Sequence, residues 1–175
     1  MTQEKENKNI ISGLALALIV LVAALAFFWR GGGAFSQKPD FDEKNLASPQ
    51  DLQIAAESFD FGRISMAKGD VSYKFQLKNT GNKKVLVNKI YTSCMCTSAL
   101  LKTSAGEWGP FGMPGHGYVP KLNILINPDE AVEVEAIFDP AAHGPTGLGK
   151  FERIVYLEGT SGSFQELKIS GEVTP

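Results

Sequence analysis

Val71, Tyr73, Phe75 and Leu77 alternate with Ser72, Lys74, Gln76 and Lys78. A period of two with one apolar and one polar row fits an extended strand that has one dry face and one wet face. The same period returns at Leu52, Ile54 and Ala56, at Leu122, Ile124 and Ile126, and at Val132, Val134, Ala136 and Phe138. Val85 and Val87 open a further strand that runs to about Tyr91. Ile154 and Tyr156, then Leu167 and Ile169, mark the last two. Asn79-Thr80-Gly81-Asn82, Asn127-Pro128-Asp129-Glu130 and Gly159 to Gly162 separate the runs as turns. The pattern predicts an all-β chain after residue 51, an antiparallel β-sandwich of seven or eight strands over 51–175. That length suffices for one two-layer core.

Ahead of the sandwich, Ile10 to Trp29 gives twenty residues without a charge. At about 1.5 Å per helical residue such a run spans about 30 Å, the thickness of a bilayer core. Phe27, Phe28 and Trp29 at its far end suit the membrane interface. A cleaved signal peptide has an apolar core of only about 7–15 residues and then a small-residue cleavage site. Here Trp29-Arg30-Gly31-Gly32-Gly33 follows instead. The chain therefore reads as a short tail (1–9), one N-terminal transmembrane helix as anchor (10–29), a flexible linker with Pro39 and Pro49 (30–50) and the sandwich. Lys5 and Lys8 precede the span and Arg30 and Lys38 follow it, so the positive-inside count is nearly tied. The free amino terminus and the polar flank after Arg30 favour the N-terminus inside. The expectation is a single-pass protein of the cell membrane with its globular part on the extracytoplasmic side. Its expected partners are membrane lipid, through the anchor, and another envelope protein. A net charge of −2 offers no electrostatic footprint for nucleic acid.

Both cysteines lie in one turn, Cys94-Met95-Cys96, and the two histidines, His116 and His143, lie in later Gly/Pro-rich loops. Met113 stands three residues before His116. Consecutive antiparallel strands alternate direction, so their loops alternate ends. With the turn after Leu77 at the top, the cysteine turn falls at the bottom. The end of the 104–120 insertion, with Met113 and His116, falls there too, and so does the loop of His143. Cys94, Cys96, Met113, His116 and His143 are thus candidate metal ligands, with Met66 in another bottom turn as an outer candidate. Thiolate, thioether and imidazole together suit Cu(I). Zn(II) fits less well, because structural zinc sites space paired cysteines by about two to four residues. A disulfide, a redox pair or two buried thiols are the alternatives, and none of those requires a cofactor.

Five segments in order carry a family pattern: Phe59-Asp60-Phe61-Gly62, Lys78-Asn79-Thr80-Gly81-Asn82, Ser93-Cys94-Met95-Cys96-Thr97, Asn127-Pro128-Asp129-Glu130, and Ile137-Phe138-Asp139-Pro140 with Gly144. Together they resemble the bacterial domain-of-unknown-function family numbered 1573, over about residues 52–173. The resemblance implies an immunoglobulin-like sandwich, often exported or anchored. Met95 stands where the family usually has Gly, and Asp129 interrupts its usual Pro-Gly-Glu. The insertion with Met113 and His116 and the His143 loop are not general family features. A looser, architectural likeness links the chain to membrane-anchored copper-delivery factors of cytochrome oxidase assembly. These also join one span, an immunoglobulin-like sandwich and a Cys-x-Cys turn that binds Cu(I). The carry-over would fall on Cys94 and Cys96.

Gly144 to Lys150 nearly spells a phosphate-binding loop, but Phe151 replaces the magnesium-binding hydroxyl and a strand follows where a helix N-terminus is needed. No Gly-x-Ser-x-Gly elbow is present. No Cys-x-x-Cys lies beside a βαβ pattern. The expected function is a binding module, not an enzyme, acting in metal binding or delivery. The alternative is an adhesion or envelope-assembly module whose cysteines are structural.

Overall fold

The period-two runs become strands in a computed structural model that describes residues 45–159, 162 and 164–175. The strands are β1 (Leu52–Ile54), β2 (Ser58–Ser65), β3 (Val71–Asn79), β4 (Val85–Val87), β5 (Lys89–Thr92), β6 (Thr97–Thr103), β7 (Gly106–Phe111), β8 (Ile124–Ile126), β9 (Ala131–Phe138), β10 (Gly149–Glu158) and β11 (Phe164–Thr174). A five-stranded sheet has the order β1-β3-β9-β6-β7, a four-stranded sheet the order β2-β11-β10-β5, and β4 pairs with β8. All pairings are antiparallel except β11 with β2. Among the described residues there is no α-helix, and none is long and apolar enough to cross a membrane. The tail, the span read over 10–29 and most of the linker lie outside the described residues.

The inward rows of the two larger sheets meet in one core. Phe75 and Leu77 of β3, Leu101 of β6 and Val134 of β9 are buried with Ile90 of β5, Val155 and Leu157 of β10 and Leu167 and Ile169 of β11. Each such side chain stabilises the fold by about 1.5–3 kcal/mol through the apolar area it removes from water. On the outer face, Lys74 pairs with Glu133 at 3.0 Å and Lys102 with Glu107 at 3.2 Å. These pairs keep the face polar and add little stability, because water screens them.

Among the described residues, eleven strands stand where seven or eight are expected from the sequence. The stretch from Val85 to Tyr91 splits at Asn88, whose N–H donates to Glu158 and whose carbonyl accepts from Leu122. The split lets β4 join β8 while β5 joins β10. β7 lies inside the Gly/Pro-rich insertion, where those residues hide the period. The end of the expected linker also belongs to the domain. Ala47 bridges Val85, and Pro49 is buried, with Ser48 capping its turn.

The end of the sandwich away from the cysteines is fastened by two of the family-like motifs. Asn79 is fully buried. Its amide donates to Lys83 O at 2.8 Å and Ile126 O at 3.1 Å, and its side-chain oxygen accepts from Gly81 N–H at 3.0 Å. The backbone of Asn79 exchanges hydrogen bonds with Asp129 and Glu130. Glu130, placed in a turn by the sequence, is a hydrogen-bond hub. Its carboxylate accepts from the backbone and side chain of both Ser104 and Asn127. Burial works against its ionisation, but these hydrogen bonds outweigh it and hold the carboxyl at about 2.

Asn79→Ala removes three hydrogen bonds and strands a buried carbonyl, so it is expected to cost about 2–3 kcal/mol in urea unfolding. Glu130 stabilises the native state above its ordinary value of 4.5, and that contribution fades as pH falls from there through about 2. Glu130→Gln is therefore expected to lower stability at neutral pH and to flatten its decline between those two values, measured by the midpoint of thermal unfolding against pH.

Candidate metal centre

Thr92 closes β5 in the four-stranded sheet and Thr97 opens β6 in the five-stranded one, so the cysteine turn is the crossing between them. Both threonines are buried. The Thr92 hydroxyl lies 3.0 Å from Cys94 O and 2.9 Å from Thr97 O and shares its proton between them. Thr97 N–H donates to Cys94 O at 3.1 Å, which tightens the turn. Ser93 N–H donates to Ile154 O of β10, and Asp139 N–H, just past β9, donates to Cys96 O, both at 2.9 Å. Three backbone hydrogen bonds and the shared Thr92 hydroxyl hold the two cysteines in place on the rims of both sheets.

The loop after β9 brings His143. Asp139 Oδ1 accepts from Ala141 N–H at 2.8 Å, Gly144 N–H donates to Ala141 O at 2.8 Å, and the Thr146 hydroxyl donates to His143 O at 2.7 Å. A Cβ at Gly147 would stand 3.1 Å from His143 Cβ, so this glycine lets the loop close against the histidine. The Gly/Pro loop that nearly spells a phosphate cradle serves to place an imidazole.

Three ligand atoms converge. Cys96 Sγ lies 2.8 Å from Cys94 Sγ, and Cys94 Sγ lies 3.2 Å from His143 Nε2. Both thiols are free, and the three atoms all lie within 4.8 Å of one another. Two bonds of about 2.0–2.3 Å to one ion cover nearly that span. Cys94 is half-buried, Cys96 buried and His143 exposed. The sulfur that anchors the site is thus sheltered, while the imidazole faces the solvent from which an ion would arrive.

A fourth side chain reaches the cluster from the opposite sheet. Arg153 Nε donates to Cys96 Sγ at 3.1 Å. Burial alone would push the Cys94 thiol up. Hydrogen bonds from the Cys96 thiol and backbone and from His143, with the Arg153 charge, overcome that and bring it down to about 7. Burial and the neighbouring Cys94 push the Cys96 thiol up. Burial also disfavours charge on Arg153, but the sulfurs beside it more than offset this and hold it protonated.

Met113 and His116 also sit at this end. β7 ends at Phe111 opposite Ala99, two residues from Thr97, and Thr92 N–H donates to Gly112 O at 3.1 Å. Met113 O closes the next turn by accepting from His116 and Gly117 N–H. Met113 is half-buried, while His116 is exposed and lies outside the group formed by Cys94, Cys96 and His143. Met66 packs against the core. The exposed large apolar side chains among the described residues are Met95 at 56%, Tyr118 at 65% and Leu148 at 43%, and all three belong to the segments that carry or adjoin the cluster.

Arg153 is the residue that the sequence reading misses. A signal was present, since Arg153 shares strand parity with the buried Val155 and Leu157 and therefore sits on their inward face. A charge in an apolar row calls for a partner, and here the partner is a sulfur.

The fold and the cluster define an all-β, β-sandwich-like domain with two thiols and an imidazole gathered at one end. Residues 52–110 match the model of the family described as "Protein of unknown function (DUF1573)". The matched stretch is about a third of the chain and contains Phe59–Gly62, Lys78–Asn82 and Ser93–Thr97, three of the segments that carry the resemblance. No curated protein matches the sequence. Among solved structures, a protein of unknown function from Porphyromonas gingivalis W83 is similar at 11% identity and a TM-score of 0.49, over 69% of this chain and 46% of its own. The secreted serine protease VesC from Vibrio cholerae is similar at 11% identity and a TM-score of 0.44, over 71% of this chain and 24% of its own. The chain spans less than half the length of either.

Cys94 should react with iodoacetamide as a thiolate well below the ordinary thiol range, with half-maximal rate near pH 7 where its titration falls. Cys96 should stay unmodified through neutral pH. Mass spectrometry of quenched time points across a pH series checks both expectations.

Proposed function

We propose that this protein is a membrane-anchored extracytoplasmic binding module of immunoglobulin-like architecture that holds Cu(I) for binding or delivery. The observation that carries this reading is the convergence of Cys94 Sγ, Cys96 Sγ and His143 Nε2 within 4.8 Å. Two soft thiolates with one borderline imidazole suit a soft monovalent ion that accepts low coordination numbers. Met113 and His116 stand at the same end, available to add a thioether or a second imidazole. The exposed His143 is the ligand through which an ion enters and leaves. Such a site binds and hands on its ion and performs no bond chemistry of its own. The anchor is the apolar run Ile10 to Trp29.

An envelope-assembly or adhesion module with structural cysteines is the second reading. Exposure of Met95, Tyr118 and Leu148 around the cluster favours a partner surface there. The same experiment separates the two. Anaerobic titration of the reduced full-length chain with Cu(I) against a chromogenic competitor is expected to show one ion per chain. Cys94→Ser with Cys96→Ser should abolish that binding, His143→Ala should weaken it about tenfold or more, and Met113→Leu and His116→Ala should have smaller effects. A native chain that retains no Cu(I) would leave the partner surface as the better account.

A further inference from the structure

Arg153 occupies an unusual place for an arginine. It lies on the inward-facing row of β10, with Val155 and Leu157 buried farther along the same face. Its Nε donates to Cys96 Sγ at 3.1 Å, its Nη1 donates to Glu152 O at 2.8 Å, and its guanidinium carbon lies 6.0 Å from the centre of the Phe151 ring. Three contacts fix the group at the sulfurs, where a free surface arginine would lose rotamer freedom for no gain.

We propose that Arg153 is the counter-cation that makes this site selective for a monovalent soft ion over a divalent one. This rests on the reading of Cys94, Cys96 and His143 as ligands. Charge counting gives the reason. Two thiolates, a neutral imidazole and Cu(I) sum to −1, and the guanidinium brings the cluster to zero. The same ligands with Zn(II) sum to zero, and the guanidinium leaves a net +1 in a half-buried place. Uncompensated charge is disfavoured in such surroundings, and the charge of the ion itself has to be included in the count. Arginine suits the task because it stays charged and its planar fork is weakly hydrated, so it tolerates partial burial better than lysine does. The Nε–sulfur hydrogen bond leaves the remaining sulfur lone pairs for the ion. Arg153 touches a ligand and not the ion, so it is a positioning and selectivity residue.

The test uses the reduced full-length chain in detergent, with Cu(I) and Zn(II) affinities each measured against a competing chelator. A hydrogen bond to a charged group is equivalent to about ten- to a hundred-fold in affinity. Arg153→Gln is expected to lower Cu(I) affinity by about that factor while Zn(II) affinity holds or rises. The Cu(I)/Zn(II) ratio should then fall at least about tenfold. Arg153→Lys keeps the charge and should stay within about threefold of the native ratio. Arg153→Met, which keeps the stem over Phe151, replaces Arg153→Gln should the latter fail to fold by circular dichroism. A native chain that binds Cu(I), with an unchanged ratio in the neutral variants, overturns the counter-cation role alone. An Arg153→Lys variant that falls as far as Arg153→Gln also overturns it, since charge would then not be the determinant. A native chain without Cu(I) affinity overturns the ligand reading and this inference together.

Discussion

The crossing from Thr92 to Thr97 is the constraint on which the rest depends. One chain segment must leave the four-stranded sheet and enter the five-stranded one within four intervening residues. A buried peptide cannot turn that sharply without leaving polar groups unpaired. The Thr92 hydroxyl answers this by serving Cys94 O and Thr97 O, while Asp139 and Ser93 bond the turn to β9 and β10. The cysteines inherit their position from that solution. Their sulfurs meet because the turn is tight, and they meet His143 because Asp139, four residues before it, is tied to Cys96.

The two ends of the sandwich divide the work. At one end Asn79 and Glu130 use every side-chain oxygen and nitrogen they have to close turns, and the reward is stability. At the other, the polar atoms of Cys94, Cys96, His143 and Arg153 point at one another and at solvent. Two thiols and a cation so placed contribute little to folding that an apolar trio could not supply. Groups so perturbed cluster at functional sites, which supports the proposed binding role. β1 starts at Leu52, opposite Asn79, at the end of the domain away from the cluster.

Much of this was legible in the residues. Clean alternation gave β3 and β9, and these pair over eight residues at the centre of the larger sheet. Strand parity, needing only direction, put His143 with the cysteines although 46 residues separate it from Cys96 in the sequence. The same argument brought the Met113 turn to that end, and the Ala99–Phe111 register agrees. Other parts were hidden for physical reasons. β7 carries Gly106, Gly109 and Pro110, so its period is interrupted by residues that shape its path beside β6. Glu130 reads only as a turn residue because its donors Ser104 and Asn127 lie in different loops. Arg153 reads as an ordinary strand charge until the facing turn places a sulfur 3.1 Å from it. Parity predicts which end a loop occupies, but not which of its side chains turn inward; His116 shares the end and stays exposed.

We propose that one soft ion is held jointly by both sulfurs and one imidazole. X-ray absorption at the copper edge of the Cu(I)-loaded full-length chain tests it most directly. The account predicts a first shell of two sulfur scatterers with one imidazole, and loss of the imidazole signal in His143→Ala. A shell without sulfur, or a nitrogen contribution that persists in His143→Ala and vanishes in His116→Ala, would contradict it.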